Sequence, residues 1–95
     1  AVAADAVGTT GAIAELEVNH STAETFLQYH GRVVITDGTR ATEYRWGGVA
    51  CSNKALPEGL VTMLQRAMAA GTPVTPRYQA GQGSNRCLVG FTLTP

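Results

Sequence analysis

Apolar and polar residues alternate along GAIAELEVN (11–19), with Ala14, Leu16 and Val18 on one side and Glu15 and Glu17 on the other. A period of two is that of a half-buried strand. Polar His20-Ser21-Thr22 then turns the chain. ETFLQYHGRVVIT (24–36) reads as one long second strand, and Asp37-Gly38 as a two-residue hairpin turn into a third. That turn sets a register in which Thr36 faces Thr39, Val33 faces Thr42, Arg32 faces Glu43, Gly31 faces Tyr44 and Tyr29 faces Trp46. Arg32–Glu43 is then an outward pair of opposite charge, and Tyr29–Trp46 an inward aromatic pair. Gly31 lets the strand coil sharply, and Gly47-Gly48 lets the chain leave the sheet.

The period changes after Pro57. Leu60, Val61, Leu64, Ala67 and Met68 form one helical stripe, with Thr62, Gln65 and Arg66 outside it. Pro57 suits the first helical position, Glu58 the positive end of the dipole, and Gly71 the end before Thr72-Pro73. Two further strands, PVTPRYQA (73–80) and RCLVGFTLT (86–94), flank the loop GQGSN. Pro76 marks the first as an edge or a bulge. Cys87, Val89, Phe91 and Leu93 share one face of the second.

The order β-β-β-α-β-β is that of an OB-like five-stranded antiparallel barrel, mainly β within the α+β class, with one helix between strands three and four. An open α+β sheet with a helix packed on it is the competing arrangement. Residues 1–10 read as a flexible segment and 11–95 as a single domain.

Composition narrows the function classes. Hydrophobic residues make up 44% of the chain and charged ones 15%, which is globular rather than disordered. Seven acids balance seven bases, so the positive footprint of a nucleic-acid binder is missing. No apolar run is long enough to cross a membrane as a helix. The chain opens AVAADAVGTTGA, small and Ala-rich, like the region just after a signal-peptidase cut. Cys51 and Cys87 form neither a CxxC motif nor a zinc set, and in an exported protein they most simply pair. A disulfide enclosing about 36 residues is worth roughly 4 kcal/mol by chain-entropy arithmetic. We therefore expect an exported protein, periplasmic or secreted, with its signal peptide removed.

Catalytic chemistry finds little to use. His20 and His30 have no motif partner, and Glu15 and Glu17 lie two apart on one solvated face. AGQGSN lacks the ending of a phosphate loop and lies between strands. Asn19-His20-Ser21 matches a glycosylation sequon. What remains is Tyr29, Tyr44, Trp46 and Tyr78 with Arg40, Arg45 and Arg77. Aromatic faces beside cations suit sugar rings, although Tyr29, Tyr44 and Trp46 equally suit a barrel interior.

ACSNKALPEGLVTMLQRAMAAGTPVTPRYQAG, from Ala50, together with LVGFTL resembles the helix and last two strands of the receptor-binding subunits of subtilase-type and pertussis-type bacterial toxins. The shared features are Ala50-Cys51-Ser52 before the helix, Gly71-x-Pro73-Val74, Tyr78 four positions later, and Cys87-Leu88-Val89-Gly90. The resemblance implies an exported OB-fold that forms pentamers and binds sialylated glycans. By position, Tyr78 matches a tyrosine that contacts sialic acid and Thr10 a hydroxyl residue that does the same. Arg77 would offset a carboxylate. The second cysteine here precedes LVG, whereas the toxin subunits carry one after it. The layout is also similar to small exported Gram-negative proteins of unassigned function, some known as antigens.

The expectation is therefore a non-enzymatic binding domain with ligand-binding residues Tyr78, Thr10 and Arg77, no catalytic residues, no metal and no cofactor. Its partner is a glycan or a host surface protein, not nucleic acid or a membrane interior. Its assembly is a monomer or a homopentamer. The alternative is a small envelope or secreted protein that acts by protein–protein contact and is recognised as an antigen.

Overall fold

The computed structural model describes residues 5–95. Strands β1 (Ala6–Val7), β2 (Ala12–Val18), β3 (Gly31–Thr36), β4 (Ala41–Trp46), β5 (Val74–Ala80) and β6 (Arg86–Leu93) accompany one helix, α1 (Glu58–Ala70). They form a single sheet in the order β1-β5-β6-β4-β3-β2, antiparallel except for β4 beside β6. One disulfide joins Cys51 to Cys87, as expected.

A β-rich sheet with one helix is thus present, but not as a closed ladder of five strands. The N-terminal stretch pairs with β5 through Ala6 and Val7, touches it again at Gly11–Val74, and then pairs with β3 from Ala12 onward. Between these contacts Gly8 donates to the Pro76 carbonyl at 2.8 Å. Proline has no N–H to return, so the ladder lacks a rung there. Of residues 1–10, expected to be flexible, 1–4 lie outside the described residues and Ala6–Val7 form β1.

The second strand is shorter than expected. Glu24–Leu27 coil into a 3-10 turn, and β3 begins only at Gly31. The N–H groups of Gln28 and Tyr29 both donate to the Thr25 carbonyl, and Phe26 stacks on His30 with centroids 4.0 Å apart. That contact spans four residues, a separation a strand would stretch out. Tyr29 is therefore not opposite Trp46 and not on the inner face.

The β3–β4 hairpin also differs from expectation. Thr36 faces Ala41, Val34 faces Glu43, Val33 faces Tyr44, Arg32 faces Arg45 and Gly31 faces Trp46. The cause is the Asp37 side chain, whose Oδ1 accepts the N–H of both Thr39 and Arg40 at 2.8 Å and holds a four-residue loop. A slip of two residues preserves the faces of a strand. Tyr44 and Trp46 accordingly point inward as expected, and Arg32 still reaches Glu43 at 3.0 Å. Gly31 makes room for the Trp46 indole rather than for Tyr44.

Bulges upset the other two patterns. An extra residue between Ile13 and Glu15 rephases β2, so Ile13 joins the core on the side of Leu16, while Val18, at the end of the strand, is 56% exposed. The shift between Arg77 and Tyr78 leaves Val89 without a partner on β5. Leu88 then joins the main core, while Cys87 joins a separate cluster with Ala50 and Cys51. On α1, Leu64 and Ala67 are buried as expected, but Met68 is 41% exposed. The helix ends at Gly71 in the left-handed conformation, with the Thr72 N–H returning to the Ala67 carbonyl.

Candidate functional site

The three expected ligand residues do not converge. Thr10 and Arg77 lie on the outer face, where Thr10 shares a 2.6 Å hydrogen bond with Thr75 and Arg77 donates to Thr92 at 2.9 Å. The Arg77 guanidinium also covers Gly90 across the strand pair. Tyr78, the next residue on the strand, points the other way and packs on the main core with its ring 5.4 Å from that of Tyr44. Burial, with Tyr78 beside it, pushes the Tyr44 phenol above its ordinary pKa.

A charged platform covers the outer face of β2, β3 and β4. Arg32 bridges Glu15, Glu17 and Glu43, and Arg45 bonds Glu43 at 2.8 Å. Tyr29 and Asn19 both donate to Glu17, each at 3.1 Å. Burial pushes the Glu17 carboxyl up, but hydrogen bonds from Arg32, Asn19 and Tyr29 outweigh it and hold the group below the usual glutamate value. Tyr29 is raised by burial and by its bond to Glu17. Arg32 is held charged, first by Glu17 and then by Glu15 and Glu43, against some burial. These bonds run largely within the platform, though the Glu15 side chain stays 57% exposed.

Beside it lies a groove. The Arg45 guanidinium sits 4.5 Å over the Tyr29 ring and lines a hollow of about 200 Å³ with Gln28, Gln82 and Asn85. A second hollow, of about 360 Å³, shares Val49, Ala50 and Gln82 with the first and extends to Ser52 and Lys54. Three segments distant in sequence make these walls. Ala50 donates to the Gln28 carbonyl at 2.9 Å, and Gln82 donates to the Ala50 carbonyl at 3.0 Å. The Cys51–Cys87 bridge fastens the same corner. Gln28, Gln82, Asn85, Ser52, Arg45 and Lys54 therefore line two adjoining hollows, with the Asn85 amide bonded to the Gln82 carbonyl and the Arg45 Nε to Glu43, and among the described residues no carboxylate lines either. Such groups recognise hydroxyl-rich and anionic ligands.

No family model, curated protein or solved structure matches this chain. Among the described residues, no three His, Cys, Asp or Glu side chains gather to hold a metal. No helix of the structure is long and apolar enough to cross a membrane.

Of the groove residues, Arg45 belongs to the aromatic and cationic set visible in the sequence. Gln28, Gln82 and Asn85 escape that reading, because Gln28 falls in a stretch that reads as strand and GQGSN reads only as a connecting loop. The available signal is the polar amide composition of GQGSN.

Proposed function

We propose that the chain is a non-enzymatic binding domain that takes an acidic, sugar-like ligand in the groove between Gln28, Arg45 and the 81–85 loop. The observation that carries this reading is that amide-bearing and cationic residues from three distant segments line two adjoining hollows without a carboxylate. Amides would bond sugar hydroxyls, and Arg45 and Lys54 would offset a carboxylate. The disulfide supports work in an oxidising compartment, hence export.

The strand order supports the finer reading of the fold as an OB-like barrel. In it β1 and β2 are two halves of the first strand, and β4 beside β6 is the parallel pair of strands three and five. OB-folds bind ligands on strands two and three and on the loops after strands one and four. Gln28 and the 81–85 loop occupy those two loops. The toxin-like residues Thr10, Arg77 and Tyr78 are then a less favoured place for the ligand, because Tyr78 faces away from the other two.

An array of neutral and acidic glycans, probed with the wild type, Gln82→Ala and Tyr78→Phe, tests the assignment. Binding to acidic glycans that Gln82→Ala weakens about tenfold and Tyr78→Phe leaves unchanged is the expected result. Absence of signal from every glycan overturns the reading, and loss only in Tyr78→Phe moves the site to Tyr78 on β5. Leu27 and Val49, 75% and 60% exposed beside the groove, favour a second reading in which the same corner contacts a protein.

A further inference from the structure

The outer edge of β2 carries a separate inference. In an antiparallel pair, successive residues alternately direct their N–H and C=O groups toward the partner strand and away from it. Asn19 donates to the His30 carbonyl at 2.9 Å, and the register runs on through Val18–Gly31, Glu17–Arg32 and Leu16–Val33. Glu17 therefore bonds to β3, while Leu16 and Val18 turn their backbone groups away from it. β2 is the terminal strand of the sheet on that side. Beside it, between β2 and α1, runs a groove of about 540 Å³ lined by Leu16, Val18, Val61 and Met68, with Glu58 and Gln65 also on its walls. Val18 and Met68 are two of the few large apolar side chains left exposed.

Strand edges are normally blunted by proline, lysine or a bulge. The Leu16–Val18 end of β2 has none of these, and its bulge lies at the far end, near Ala14. The charges beside the edge select the occupant. On the outer face three carboxylates, Glu15, Glu17 and Glu43, meet two guanidiniums, Arg32 and Arg45. A second copy paired two-fold about Glu17 would set that carboxylate against its twin, and like charges directly opposite destabilise a strand pair.

We propose that this edge docks an extended segment of a different protein, which adds as a further strand. Its apolar side chains enter the groove against Val61 and Met68, and its alternate, basic side chains lie beside Glu15 and Glu17. Backbone bonding supplies affinity and the alternation supplies selectivity in such strand addition.

The probes are an acetylated, amidated heptapeptide of alternating lysine and valine, and its glutamate–valine counterpart. In the free protein, the Leu16 and Val18 amides should exchange at least about tenfold faster than that of Glu17. The lysine peptide should slow both amides and bind at least about tenfold more tightly than the glutamate peptide. Val18→Pro removes one outward N–H without touching the β3 ladder and should weaken binding about tenfold. Met68→Glu, on the helix side, serves where that variant folds poorly, and should weaken the lysine peptide, whose valines lie against Met68, about tenfold while leaving the melting temperature near that of the wild type. Protected Leu16 and Val18 amides in the free protein overturn the proposal. So do equal binding of the two peptides, no binding of either, or self-association through this edge.

Discussion

The two ends of the β3–β4 pair are closed by different means. At Asp37–Arg40 the chain turns in solvent, held by one carboxylate that accepts two backbone N–H groups, and Gly38 has open space where a side chain would be. At Gly47–Cys51 the chain turns against other parts of the protein. Gly48 lies on the Gln28 backbone, Gly47 on the His30 ring, and Cys51 is bridged to β6. The first end is a local device and the second a junction. The groove lies at the junction because only there do distant loops share a fixed frame. Damage should therefore remain local at the first end and reach the groove at the second.

The strongest way to break this contrast is the pair Cys51→Ser with Cys87→Ser. The bridge spans a sequence separation of 36 residues, and its removal should cost roughly 4 kcal/mol by loop-closure entropy. Urea unfolding should show the loss, and amide exchange should quicken more at Ala50 and Gln82 than at Thr39 and Arg40. Equal loosening of both ends would mean that the junction is not a separate frame.

Gly48→Ala comes next. Its φ is +67° and an added Cβ would lie 2.6 Å from the carbonyl carbon and oxygen of Gln28. The left-handed strain and the backbone overlap together should cost about 2–3 kcal/mol. Because Gln28 lines the groove, glycan or other ligand binding should fall as well. A stability loss with no change in ligand affinity would separate the corner from the groove.

These two ends also explain what could be read from residues alone. The Asp37-Gly38 turn was legible as a turn, and its wrong length did no harm to the faces, because a slip of two returns every side chain to its side. The single-residue bulges in β2 and β6 invert faces instead, and no residue in AIAELEV or CLVG announces them. The disulfide was legible from two cysteines with no competing motif. The groove was not, since Gln28 and Gln82 meet only through their separate contacts with Ala50, which depend on tertiary placement.

At the local end, Gly38→Ala meets nothing and suffers only the cost of φ +95°, about 1 kcal/mol. A melting temperature lowered by a few degrees, with groove binding unchanged, is the expected outcome. Loss of binding here would join the two ends and dissolve the contrast.

The smallest effect is in acid. Backbone N–H groups of Arg40 and Thr39 hold the Asp37 carboxyl below its ordinary pKa. A carboxyl whose folded pKa lies below its unfolded one stabilises fully above the unfolded value, and that contribution disappears as pH falls through the folded value. Glu17 is shifted in the same sense, so the wild type should weaken as pH drops below about 4. Asp37→Asn keeps an acceptor for the two N–H groups but cannot titrate. Its stability should therefore fall less steeply with acid than that of the wild type, the remaining slope belonging to Glu17 and the other carboxylates. An acid slope identical to the wild type would show that the turn closes without the charge on Asp37, leaving the neutral hydrogen bonds alone to hold the local end.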